Sequence, residues 1–213
     1  MEGKNFERTL PSGYREIVHL NAKDPKLGLI LNFIALAVAF VVMAIAVAAF
    51  LIFGAVKPMV SLPYYWVTGI FAVSILVYLV LHELTHGAVY RAMTGEKLTF
   101  GISWSCAFCG VPNIYTYRRT AWWAVVAPLA VFSAILIPLT VLLYFVNPYL
   151  FFMSALMFGL HLGGCSGDIY VLILLAKHKD PKLLMRDTGP EQFLYVPDEA
   201  IAKLEAAFDS KEG

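Results

Sequence analysis

Apolar stretches alternate with short polar ones along this chain. No charged residue lies in residues 27–56. About 20 apolar residues suffice to cross a bilayer core, so this run predicts a transmembrane helix over roughly residues 29–53. It is too long for a cleaved signal peptide, and a polar lead-in ending at Lys26 precedes it. A second apolar stretch covers residues 64–90, interrupted only by His82, Glu83 and His86, and ends at Arg91. Residues 120–167 again hold no Asp, Glu, Lys or Arg. Extended to Ala176, they would form a helix about 85 Å long, against hydrocarbon about 30 Å thick. The segment must fold back, and Asn147-Pro148 is the turn signal. A third helix near residues 121–145 and a fourth near 149–176 follow.

The polar connections predict smaller elements. In residues 97–105, Leu98, Phe100, Ile102 and Trp104 alternate with small or polar residues, the period of a strand. Residues 113–117 form a second aromatic-rich strand candidate, and the two are expected to pair as a hairpin between the second and third helices. Residues 183–196 read as short strands around a Thr188-Gly189-Pro190 turn. Beyond them Asp198 is placed to cap a short helix with the stripe Ile201, Leu204 and Phe208. The expected fold is an all-α integral membrane protein of four transmembrane helices with a small cytoplasmic β-hairpin. It forms one domain over 1–213: an N-terminal segment, 1–26, a membrane core, 27–176, and a C-terminal tail, 177–213.

Composition agrees, with 60% hydrophobic and 15% charged residues, the balance of a membrane chain. A net charge of +1 argues against nucleic acid as a partner; the lipid bilayer is the expected one. Oligomeric state leaves no mark. Basic residues cluster before the first helix, between the second and third, and after the fourth, while the other two connections carry only Lys57. The expected location is therefore the cell membrane, multi-pass, with both termini cytoplasmic. Three cysteines, Cys106, Cys109 and Cys165, make no even disulfide framework and suit a reduced compartment. Cys106-Ala107-Phe108-Cys109 is a single C-x-x-C without further ligands in its loop, and reads as small residues at a hairpin tip.

His82-Glu83-Leu84-Thr85-His86 changes the picture. On a helix, i and i+4 share a face, so two imidazoles can hold one zinc ion, with Glu83 beside them as catalytic base. Three ionisable groups at membrane depth are costly and mark function. A catalytic zinc usually has three protein ligands, and the fourth helix offers one carboxylate, Asp168. His82 stands nine residues before Arg91 and Asp168 nine before Lys177, which puts the two at one depth. His161 and Cys165 share a helix face with Asp168. Either is an alternative ligand, His161 could instead stabilise an oxyanion, and each could be a hydrogen-bonding residue inside the bundle.

The HELTHG helix, the hairpin after it, the Gly167-Asp168-Ile169 segment, Leu10-Pro11-Ser12-Gly13-Tyr14 and Asp187-Thr188-Gly189 resemble a prokaryotic family described as putative zincin peptidases. That family is in turn similar to the site-2 proteases, which cleave substrates within the membrane. The resemblance implies Zn2+ held by His82 and His86, Glu83 as base, Asp168 as third ligand, and a membrane protein or peptide as substrate. Site-2 proteases carry their ligand in a segment ending Leu-Asp-Gly, where this chain has Ser-Gly-Asp-Ile. Two other readings use the same residues: a non-proteolytic zinc hydrolase of the membrane, and a metal-binding or transport protein. Transport has no need of Glu83.

Overall fold

The structure is a computed structural model that describes residues 4–54, 57–102 and 107–201. Its elements run β1 (Phe6–Glu7), β2 (Tyr14–Asn21), α1 (Pro25–Phe53), α2 (Tyr64–Thr94), β3 (Thr99–Ile102), β4 (Ala107–Gly110), β5 (Tyr115–Tyr117), α3 (Arg118–Val146), α4 (Pro148–Gly164), α5 (Ser166–Lys177), β6 (Leu184–Asp187) and β7 (Glu191–Pro197). The chain divides into two compact units: Gly28–His82 with Val126–Tyr170, and Met1–Leu27 with Glu83–Val125 and Val171–Gly213.

The first unit is helical. α1, α2 and α3 are each long and apolar enough to cross a membrane, and α4 with α5 adds a fourth candidate if the pair is counted as one span. The expected fourth helix is thus broken, bending by 41° between α4 and α5. Large apolar side chains stand exposed along the helices, among them Phe33, Phe40, Leu51, Leu76 and Leu142. So much exposed apolar surface suits lipid and not water. The helices pack through small residues. A Cβ on Gly163 would come 2.6 Å from Ala35 Cα, and one on Gly159 2.8 Å from Ala39 Cα, so α1 and α4 meet backbone to backbone. With no hydrophobic drive between helices in lipid, such close packing is what holds them. Asn147 makes the turn between α3 and α4: its side chain accepts from Tyr149 N and Leu150 N, and its Nδ2 donates to Val60 O at 2.8 Å. Pro148 follows at the first helical position, where its missing N–H costs nothing.

The second unit corrects the all-α expectation. It holds a five-stranded antiparallel sheet in the order β1-β5-β6-β7-β2. Both the N-terminal segment and the C-terminal tail contribute strands to this sheet. β2 pairs with β7 from Tyr14↔Pro197 to Asn21↔Glu191, with an irregularity between Glu16 and Val18. Leu183, Leu184 and Met185 are fully buried, with Leu194 and Val196 nearly so. The Thr188-Gly189-Pro190 turn joins β6 to β7 as expected, with Gly189 at φ 99°, a conformation suited to glycine.

The hairpin between α2 and α3 exists with different partners. β3 pairs with β4, whereas Tyr115–Tyr117 joins β1 and β6 in the larger sheet. β4 reads Ala-Phe-Cys-Gly, a weak strand signal. It is held by Phe108, whose ring covers Gly101 on the paired strand and Gly189 in the turn. Trp104, Cys106, Leu204 and Phe208 lie outside the described residues.

Candidate metal centre

His82, Glu83 and His86 lie on α2, which runs unbroken from Tyr64 to Thr94, so helix geometry alone puts the two imidazoles one turn apart on one face. Both histidines are buried, and Glu83 beside them is half-buried. Asp168 occupies the first turn of α5. The break after α4 creates that N-terminus, and its unsatisfied N–H groups and dipole favour a carboxylate there. The sequence signal behind the break is the glycine cluster around Cys165, which lowers helix propensity.

His82 Nε2 lies 3.2 Å from Asp168 Oδ2. Two ligands about 2.0–2.2 Å from one tetrahedral zinc would be about 3.3 Å apart, so the pair has the spacing a shared ion requires. His82, His86 and Asp168 present ligand atoms all within 4.8 Å of one another, and so do His82, His161 and Cys165.

Hydrogen bonds separate the two sets. His86 Nδ1 lies 2.8 Å from the Ala124 carbonyl. A carbonyl only accepts, so Nδ1 carries the proton and Nε2 presents its lone pair, as a ligand must. The carbonyl is accessible for a local reason. Four residues on stands Pro128, inside α3, with no N–H to close the helical bond to Ala124. His161, by contrast, has both ring nitrogens engaged: Nδ1 with the Tyr78 hydroxyl at 2.9 Å, Nε2 with Ser133 Oγ at 3.1 Å. The Cys165 thiol stands 3.7 Å from the same Nδ1. The geometry therefore favours His82, His86 and Asp168 as the donor set and gives His161 a supporting place.

Sequence reasoning missed Tyr78, Ser133, Pro128 and Gly87. Tyr78 is one turn before His82 on the same face, a signal that was available. Gly87 ends the HELTHG string because the hairpin lies against it: a Cβ there would come 2.9 Å from Leu98 and 3.1 Å from Cys109 Sγ. That Cys109 is buried; burial, and then the Asp187 and Glu83 carboxylates, push its thiol up to about 12. Burial and a raised thiol agree with a packing role for Cys109.

Membrane-length apolar helices and a His/Asp group that could hold a metal ion define the class: a membrane protein with a candidate metal site. The chain belongs to the family described as "Putative zincin peptidase", whose profile matches residues 75–182, just over half of it. That stretch contains the HELTH motif, Ala124, Pro128, His161 and Asp168. Membership implies zinc, and the donor set on α2 and α5 fits it. No curated protein and no solved structure matches the chain.

Proposed function

We propose that this protein is a zinc-dependent intramembrane metalloprotease that hydrolyses peptide bonds of membrane proteins near the cytoplasmic face. The observation that carries the reading is the 3.2 Å approach of Asp168 Oδ2 to His82 Nε2 on a helix that also presents Glu83 and His86. In this reading His82, His86 and Asp168 hold the ion. Zinc, when bound, supplies a Lewis acid that polarises a carbonyl and acidifies water. Glu83 takes the proton from the attacking water as the new C–O bond forms, and returns it to the leaving amine as the C–N bond breaks. The products are a carboxylate and an amine.

The sheet supports the topology. Its strands come from before α1, from between α2 and α3, and from after α5. A hydrogen-bonded sheet cannot be shared across a bilayer, so these three segments belong on one side. That parity agrees with counting α4 and α5 as one crossing. Their basic residues support the cytoplasm as that side.

The test is cleavage of single-span substrates in liposomes by wild type and Glu83→Gln, followed by mass spectrometry. Loss of general acid–base help costs roughly 10²–10⁴-fold, with zinc content retained. Equal cleavage by both would refute the mechanism. Glu83-dependent hydrolysis of a lipid-linked substrate, with no peptide cleaved, would leave the zinc chemistry standing and remove the protease assignment.

A further inference from the structure

Three polar side chains that the hydrolytic reading does not use lie in line behind His82. The Tyr78 hydroxyl is 3.0 Å from His82 Nδ1 and 2.9 Å from His161 Nδ1, and His161 Nε2 is 3.1 Å from Ser133 Oγ. Tyr78 and His161 are buried, His161 completely. All four residues belong to the same compact unit. Polar groups placed so deep among apolar helices are costly unless they are fully hydrogen-bonded. Here they satisfy one another. Phe132 packs edge-on against the Tyr78 ring at 5.1 Å and against His161 at 5.9 Å, which fixes both rings in place.

We infer that Tyr78, backed by His161 and Ser133, is a positioning residue that fixes the ring orientation and tautomer of the zinc ligand His82. The inference rests on the zinc reading and extends it. If His82 gives Nε2 to the metal, its one proton stands on Nδ1 and is donated to the Tyr78 oxygen. The single Tyr78 proton is then donated to His161 Nδ1. His161 therefore carries its own proton on Nε2 and donates it to Ser133 Oγ. Each of these three protons has an acceptor, and giving His82 Nε2 to the metal sets the order of the three bonds. The phenol thus does for His82 what the Ala124 carbonyl does for His86. Ligating histidines are commonly held this way, and the groups holding them raise ligand basicity. His161 is not a ligand in this arrangement. It keeps the Tyr78 proton turned away from His82, so that the oxygen faces the Nδ1 proton.

Tyr78→Phe removes the hydroxyl and keeps the ring, so the packing on Phe132 survives. The measurement is Zn2+ affinity of the full chain in detergent, by competition with a chromophoric chelator, with circular dichroism as a check on fold. The cobalt-substituted protein supplies a second readout, its d–d absorption, which reports ligand geometry. Tyr78→Phe should weaken zinc binding about 10–100-fold and shift the cobalt spectrum, with the helical signal intact. His161→Leu should weaken binding in the same direction. His161→Asn, whose amide can still accept from Tyr78, should recover part of the loss. Wild-type affinity in folded Tyr78→Phe, where His86→Ala and Asp168→Ala bind weakly, overturns this inference alone. Undiminished affinity in His86→Ala and Asp168→Ala overturns the zinc reading and the inference with it. Loss of a second equivalent of zinc in both His161→Leu and Cys165→Ala would make His161 a ligand, and would also overturn it.

Discussion

The Tyr90 hydroxyl donates a 2.8 Å hydrogen bond to Asp187 Oδ2, tying α2 one turn beyond His86 to the end of β6. Gly189 N donates to the other carboxylate oxygen at 2.9 Å. Even so, burial pushes the Asp187 carboxyl up to about 6, against the hydrogen bonds from Gly189 and Tyr90 that pull it down. A carboxyl raised on folding favours the folded state most below its ordinary value of 3.8, and that contribution is lost as pH rises through about 6. Asp187→Asn keeps the size, can still accept from Gly189 N through its oxygen and can donate through its amide to the Tyr90 oxygen, but cannot ionise. It should flatten the thermal-stability profile between these pH values and raise stability at neutral pH relative to wild type. Melting curves in detergent across pH check this; an unchanged slope refutes it.

Wild type should bind about one zinc per chain, and His82→Ala, His86→Ala and Asp168→Ala should each lose most of it. Elemental analysis of purified samples decides. Full zinc in Asp168→Ala would remove Asp168 from the ligand set.

Pro128→Ala should move stability and zinc binding in opposite directions. The new N–H closes the helical bond to Ala124, and relief of an interior proline is worth up to about 3 kcal/mol. The same N–H competes with His86 Nδ1 for the carbonyl, so zinc affinity should fall, toward the lower end of the about 10–100-fold losses seen when a ligand's support is altered. Higher melting temperature with undiminished affinity would show that the freed carbonyl does not orient His86.

Gly163 and Gly164 should differ sharply although they are neighbours. A side chain on Gly163 meets the Ala35 backbone, while nothing lies within 4 Å of a Cβ on Gly164. Gly163→Val should therefore cost about 1–3 kcal/mol, the order of an overpacked core, and Gly164→Ala should be neutral or slightly stabilising. Unfolding monitored by size-exclusion chromatography after heating distinguishes them, and equal effects would refute the close α1–α4 contact.

Lys57→Cys and Lys177→Cys should lie on opposite faces of the membrane. In intact cells a membrane-impermeant thiol reagent should label the cysteine at position 57 and spare that at 177. Labelling at 177 overturns the topology.

What the sequence made legible was whatever depended on neighbouring residues. Apolar runs placed α1, α2 and α3 to within a few residues. Asn147-Pro148 placed the turn, and i, i+4 spacing put His82 and His86 on one face. The missed features depend on partners far along the chain. Tyr115–Tyr117 pairs with Phe6–Glu7 and Leu184–Asp187, and nothing in its own pattern distinguishes that from a local hairpin. The break at Cys165 is marked only by glycines, which serve equally as packing residues. The nine-residue interval from Asp168 to Lys177 lies wholly within α5, because the break falls before it. His161 lies beyond the break, so its place against Tyr78 could not be inferred from counting turns.

β2 and β7 come from opposite ends of the chain, and their register leaves the sheet incomplete until Glu191–Pro197 has been synthesised. Chains emerge N-terminus first, and domains fold as they do so. β2 therefore waits, its pairing edge open, while the helices between are made. β7 acts as a clasp. A chain stopped short of it would have α1 to α5 and all of His82, Glu83, His86 and Asp168, yet would expose an unmatched strand, an open edge on which another chain can pair.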